Sequence, residues 1–132
     1  MEKILEKVNN ELELAEEKLK AVKYLLNGKF YRDSTSRAYY AMFHAAKAVL
    51  LLKGLEPKTH RGVLSMFGLH LIKEANLDIY LGKALSYAEE VREDSDYSIG
   101  ISVSKETAES IVNDANMFLE KIKKVIKFLS NK

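Results

Sequence analysis

The chain has 132 residues, a formal net charge of +2, 47% apolar and 30% charged residues, which suits one soluble domain with one core and not a disordered segment. It has no cysteine, so disulfides, thiolate catalysis and Cys-ligated zinc or iron–sulfur centres are excluded, and the small charge is by itself no argument for nucleic acid. The most apolar run, Ala45 to Leu52, is broken by Lys47 and is too short to cross a bilayer; with no signal-peptide apolar region at the start, a cytoplasmic protein without a membrane partner is expected.

A single proline and six glycines leave room for long helices. Residues 2–27 repeat apolar positions at helical spacing, from Ile4, Leu5 and Val8 to Leu25 and Leu26. Gly28 then fits a left-handed C-terminal cap. The second helix is expected to begin near Asp33 or Ser34, both good N-caps, to run to Lys53 and to be closed by Gly54. Glu56-Pro57-Lys58-Thr59 makes a turn, with Thr59 as N-cap of a third helix over roughly 60–75 that ends at Asn76. A fourth covers about 78–94, with Leu81, Ala84, Leu85, Ala88 and Val91 on its apolar face. Residues 95–103 read as irregular, and Ser104 caps a last helix whose apolar period continues to Leu129. No segment alternates with period two, so no sheet is expected. The pattern predicts an all-α fold: an antiparallel up-and-down bundle of about five helices, one domain over 1–132.

Polar residues interrupt this apolar pattern in three places. Ser36 to His44 sets Arg37, Tyr39, Tyr40 and His44 inside an apolar helical run, where charge and imidazole cost free energy unless paired. Arg37 and His44 are seven residues apart, nearly two turns, so they share a face with Tyr40 and lie about 10 Å apart along the axis. Such a stripe could hold a phosphate or ribose; the plainer reading is a packed histidine and an arginine paired with a neighbouring helix. His60-Arg61 opens a helix, where unpaired backbone N–H groups attract anions, or it is simply a solvated start. Arg92 and Asp96 are spaced for a helical salt bridge, followed by Tyr97. Glu89, Glu90, Glu93, Asp94 and Asp96 would repel phosphate unless they face away, and their spacing matches no cation loop. Lys121, Lys123, Lys124, Lys127 and Lys132 read as the wet face of the last helix. Tyr24, Tyr31, Tyr80 and Tyr87 read as core or interface aromatics.

Ser36-Arg37-Ala38-Tyr39-Tyr40-Ala41-Met42-Phe43-His44, then Lys58-Thr59-His60-Arg61, then Arg92-x-x-Ser95-Asp96-Tyr97, in this order and before a long final helix, resemble the HEPN domain in its small single-domain archaeal and bacterial branch. The resemblance spans about residues 10–129. It implies a helical bundle with a four-helix core, a homodimer with a cleft at the dimer interface, and, for many members, a toxin paired with a minimal nucleotidyltransferase antitoxin. Active members resemble metal-independent ribonucleases with an arginine followed four to six residues later by histidine; an imidazole can take the ribose 2′-OH proton and an arginine can stabilise the phosphorane. Here the corresponding segment runs from Arg92 to Tyr97, and a tyrosine is a poor base at pH 7.

The expectation is therefore a nucleotide- or RNA-binding protein in a toxin–antitoxin-like module. A ribonuclease with a rebuilt site is the alternative, and a non-catalytic dimeric adaptor the second. Arg37, His44, His60 and Arg92 are the candidate catalytic residues, and Tyr40, Arg61, Asp96 and Tyr97 the candidate ligand contacts. No metal and no cofactor are expected.

Overall fold

The structure, a computed structural model, describes residues 2–97 and 102–131. Five α-helices and one π-helix follow in chain order: α1 Glu2–Asn27, α2 Tyr31–Leu52, α3 His60–Met66, the π-helix Phe67–Glu74, α4 Ile79–Tyr97 and α5 Lys105–Ser130. There is no strand among the described residues, as the missing period-two alternation requires.

α2 is the hub. Its Ala38, Ala41, Ala45, Ala46 and Ala48 are fully buried, and their small side chains let neighbouring helices approach closely. α1 lies along one side of α2, α5 along another, and α3 and α4 close the third. Lys7 reaches Glu56 and Glu11 reaches His44, so α1 runs antiparallel to α2. Glu16 pairs with Lys123, and α1 is antiparallel to α5 as well. Tyr39, Met42 and Leu50 of α2, Phe67 and Leu71 of the π-helix and Phe118 of α5 fill the centre, all fully buried. The Phe67 and Phe118 rings lie 5.4 Å apart and tie the π-helix to α5.

Local chemistry explains most boundaries. Thr59 and Ser104 cap α3 and α5, their hydroxyls accepting from Gly62 N and Thr107 N. Gly54, at φ 80°, ends α2: Leu55 N donates to Leu50 O and Gly54 N to Leu51 O, the paired bonds of a Schellman end. α1 ends at Asn27, as expected, and in the same way, but with its left-handed residue one position later than expected. Phe30 N donates to Leu25 O and Lys29 N to Leu26 O, and the left-handed residue is Lys29 (φ 66°), not Gly28. This compact reversal lets α2 restart at Tyr31, before the expected Asp33 or Ser34.

Two further boundaries differ. The expected third helix divides at Met66, where the hydrogen bonding widens into the π-helix, and Asn76 (φ 59°) follows its end. α4 continues through Ser95, Asp96 and Tyr97, because the Arg92–Asp96 bridge and the Ser95 hydroxyl bonded to Arg92 O fasten its last turn. The irregular segment expected over 95–103 therefore loses its first three residues to α4; residues 98–101 lie outside the described residues, and 102–103 are non-helical. Lys121, Lys123, Lys124 and Lys127 are on the exposed face of α5, and Lys132 is outside the described residues. Tyr24, Tyr80 and Tyr87 are exposed and not in the core. No helix among the described residues is long and apolar enough to cross a membrane.

Candidate functional site

α2 carries polar residues on two sides. On the side facing α1, His44 Nδ1 lies 2.7 Å from a Glu11 carboxylate oxygen, and Lys47 lies 3.4 Å from the other. Burial alone would raise the Glu11 carboxyl, but the His44 hydrogen bond and the Lys47 charge outweigh it and hold its pKa below the usual value. These contacts tie His44 to α1.

On the other side Tyr39, Tyr40 and Phe43 of α2 meet His60 at the start of α3 and Glu89, Arg92 and Asp96 of α4. Helical period accounts for Tyr39: it follows Ala38 and precedes Met42 on the buried face, and its ring is fully buried. Only its hydroxyl reaches polar groups. It donates to Glu89 Oε2 at 2.8 Å and sits 2.8 Å from His60 Nδ1. A phenol has one hydrogen and an ionised carboxylate has none, so with the Tyr39 hydrogen on Glu89, His60 Nδ1–H must donate to Tyr39 Oη. The neutral ring then keeps its lone pair on Nε2.

His60 packs flat on Phe43, ring centroids 4.2 Å apart, and edge-on to Tyr40 at 5.7 Å. Its side chain is 43% exposed. Burial lowers its pKa; Glu89 opposes this, while Arg92, His44 and Lys47 add to it, and the net result is a ring below its usual 6.5. Burial and the Glu89 carboxylate push the Tyr39 phenol well above the ordinary tyrosine range, so Tyr39 acts as a neutral relay.

Arg92 is buried, and carboxylates close around it. Its guanidinium contacts Glu89 Oε1 through Nε at 2.8 Å and Nη2 at 2.6 Å, and Asp96 Oδ2 through Nη1 at 3.1 Å. It lies over the faces of Tyr39 and Tyr40, 5.1 and 5.5 Å from their centroids, a favourable cation–π arrangement. Burial would lower its pKa, but the bond to Glu89 more than reverses this. Glu89 is thus turned inward, Glu93 is exposed with a carboxylate oxygen 3.9 Å from Arg92 Nη2, and Glu90 and Asp94 are exposed.

Of the residues singled out from sequence, the structure brings Tyr40, His60, Arg92 and Asp96 together. His44 is bonded to Glu11 of α1 but borders the cluster, its ring 5.4 Å from that of Phe43, on which His60 also stacks. Arg37 is exposed and has no ion-pair partner among the described residues. Arg61 and Tyr97 are exposed neighbours of the cluster in sequence. Sequence reasoning passed over Tyr39 and Glu89 as site groups. The signal for both was present: Tyr39 shares the apolar face of α2, and Glu89 stands three residues before Arg92, the spacing of a helical ion pair. No group of three or more His, Asp and Glu side chains could hold a metal ion among the described residues.

Comparison with known proteins places the chain in a family. The family model for the HEPN domain matches residues 8–125. A protein of Methanocaldococcus jannaschii named "Putative toxin MJ0605" is 44% identical over 124 residues, covering 94% of this chain and 92% of the relative. A second from that organism, "Putative toxin MJ0142", is 40% identical over 96% of this chain and 81% of its own length. "UPF0332 protein PH1297" of Pyrococcus horikoshii is 38% identical over 95% of this chain and 78% of the relative. A match from Val8 to Val125 takes in both polar sides of α2 and every helix of the bundle, and the chain belongs to the HEPN domain family.

Proposed function

We propose that this chain is the toxin-type member of a two-component module, and that the cluster around His60 engages RNA or a nucleotide. One observation carries the reading: the Glu89–Tyr39–His60 chain of hydrogen bonds spends buried polar groups on orienting a ring that is itself partly exposed. A bundle needing only packing would be served as well by apolar side chains there. The exposed cation Arg61 lies next to it in sequence, suited to a phosphate, and Tyr40 offers an aromatic ring at the edge of the cluster. The toxin part of the proposal draws on the names of the two Methanocaldococcus relatives. A minimal nucleotidyltransferase as antitoxin, and a homodimer as the working unit, are parts of the same proposal that the family resemblance supplies.

Binding is favoured over cleavage because Arg92 already faces Glu89 and Asp96, so it is not set to clamp a phosphorane. The test is fluorescence anisotropy of a labelled single-stranded RNA and of a labelled ATP analogue, with wild type and with the His60→Ala, Arg61→Ala double variant. A loss of tenfold or more in affinity for either probe is expected. Equal affinity in a folded variant refutes the site.

The tautomer of His60 supports a second reading. With Nδ1–H donated to Tyr39, the neutral ring of this partly exposed histidine has Nε2 as its proton acceptor, the state a general base needs. As a metal-independent ribonuclease, the protein would cut total RNA in EDTA and leave 2′,3′-cyclic phosphates, and His60→Ala would abolish cleavage while His44→Ala would not. Cleavage that survives His60→Ala refutes this reading.

A further inference from the structure

α1 and α5 both pack on α2 but touch each other little, and a groove runs along the seam. Cavities of 410, 610 and 260 Å³ follow one another from Glu16 and Lys123 at one end to Lys29 and Lys105 at the other. On α5 the lining positions, from Lys105 to Lys123, recur at three- and four-residue intervals and so mark one face of that helix. On α1 the lining is broader and takes in most positions from Leu19 to Asn27, with Glu16 at its far end. Along α1 the groove spans about 17 Å, and along α5 about 27 Å, at 1.5 Å per residue. Three to four turns of another helix fit such a length.

The chemistry of the groove selects among helices. The floor is apolar: Leu19, Val22 and Leu26 from α1, Val112 and Leu119 from α5. The rims are basic, with Lys20, Lys23 and Lys29 on one side and Lys105 and Lys123 on the other. Glu16 and Lys123 offset each other, which leaves Lys20, Lys23, Lys29 and Lys105 against Glu109. Lys20, Lys23, Lys29 and Lys105 are exposed and have no ion-pair partner among the described residues. No residue of the groove belongs to the His60 cluster.

We infer that the α1–α5 groove is a docking site for an acidic amphipathic helix of a partner protein. The guest's apolar stripe seats on the leucine and valine floor, and its flanking carboxylates meet the lysine rims, the helix-in-groove mode of recognition. An isologous dimer across this groove is disfavoured, since a two-fold axis would set one lysine rim against its copy. A second copy could offer the exposed face of α4, with Tyr87, Glu90 and Asp94, but that contact is head-to-tail and does not close on itself. The inference stands on the groove alone and does not depend on RNA or nucleotide binding.

The probes are two fluorescein-labelled synthetic helices of 18 residues, on the order of the groove length, with the same leucine stripe and either Glu or Lys on the flanks. Binding to the full chain is read by anisotropy. The Glu-flanked helix is expected to bind saturably, at least tenfold more tightly than the Lys-flanked one, and to weaken as NaCl rises. Lys20→Glu, Lys23→Glu and Lys105→Glu together should remove that preference, with the circular-dichroism melting curve confirming the fold. Equal binding of both helices, or a preference untouched by salt and by the triple reversal, overturns the inference. So does a concentration-dependent mass in sedimentation that the triple reversal abolishes, which would give the groove to a second copy of this chain.

Discussion

The two polar sides of α2 use the same residue types to different ends. On the α1 side, His44 and Lys47 share one carboxylate, Glu11, in a simple two-helix ion cluster. On the other side, the hydrogen bonds between His60 and its carboxylate run through the Tyr39 hydroxyl, with Nδ1 itself 3.7 Å from Glu89 Oε2, and that carboxylate is shared with buried Arg92. The first arrangement fastens two helices. The second fastens three, and it also fixes which nitrogen of the imidazole faces outward. Inserting a neutral, fully buried phenol between histidine and glutamate is what turns an ion pair into an oriented group, so a histidine's chemistry follows from the atom its inner nitrogen meets.

Removing the buried cation breaks the comparison most strongly. Arg92→Met leaves Glu89, with its side chain 12% exposed, without its guanidinium, and should cost about 3 kcal/mol in urea unfolding. Glu11 on the other side, 15% exposed, is about as buried as Glu89, but Glu11→Gln leaves no buried charge behind and keeps a hydrogen-bonding group beside His44, so it should cost about 1 kcal/mol. Comparable losses in the two variants would erase the distinction between the sides. Tyr39→Phe is intermediate, about 1–2 kcal/mol, because it deletes one hydroxyl that serves two partners. It sharpens the comparison by a second readout: nitrogen NMR should show His60 moving from a single Nδ1–H tautomer to a mixture, with His44 unchanged. A single tautomer retained in the variant would remove Tyr39 from its positioning role.

The smallest effect is in pH. The His60 pKa is lowered in the fold, so the unfolded chain takes up a proton more readily near 6.5. This contribution to stability is complete above pH 6.5 and is lost as pH falls through the folded value. The Glu11 carboxyl is also lowered, so its contribution is complete above its ordinary 4.5 and is lost on further acidification. Urea midpoints measured from pH 8 to pH 3 should therefore fall in two stages. His60→Gln should flatten the first and Glu11→Gln the second. A first stage that persists in His60→Gln would assign it to another group.

Helical period, together with Gly54, Thr59 and Ser104, made the bundle legible before any coordinates, because those signals are local to the chain. The π-helix was not legible. Phe67 and Leu71 satisfy an α-helical period as well as a wider one, so their spacing carries no sign of the change. The left-handed Lys29 was missed because glycine is the usual residue at such an end and Gly28 stands beside it. At the candidate site, the conspicuous residues in the sequence were charged ones in apolar surroundings. That criterion singles out His60 and Arg92, which the fold brings together, and Arg37, which the helix turns to solvent, and passes over Tyr39, whose apolar ring blends into the core pattern. The pairing of His60 with Glu89 spans 29 positions of chain and is made only in three dimensions.

The fully buried alanine face of α2 has a kinetic consequence. With α1, α5 and the α3–α4 layer packed around this helix, no single neighbour can lift away and bare its whole length. The amides between Ala38 and Leu50 should exchange with deuterium only when the entire molecule opens, so their protection reads out the global stability. The π-helix, with Leu69 47% exposed, has its outer turn in water and should exchange through smaller openings. A protein degraded from its partly open states would then be cut first on either side of the π-helix, while α2 remained among the last segments to yield.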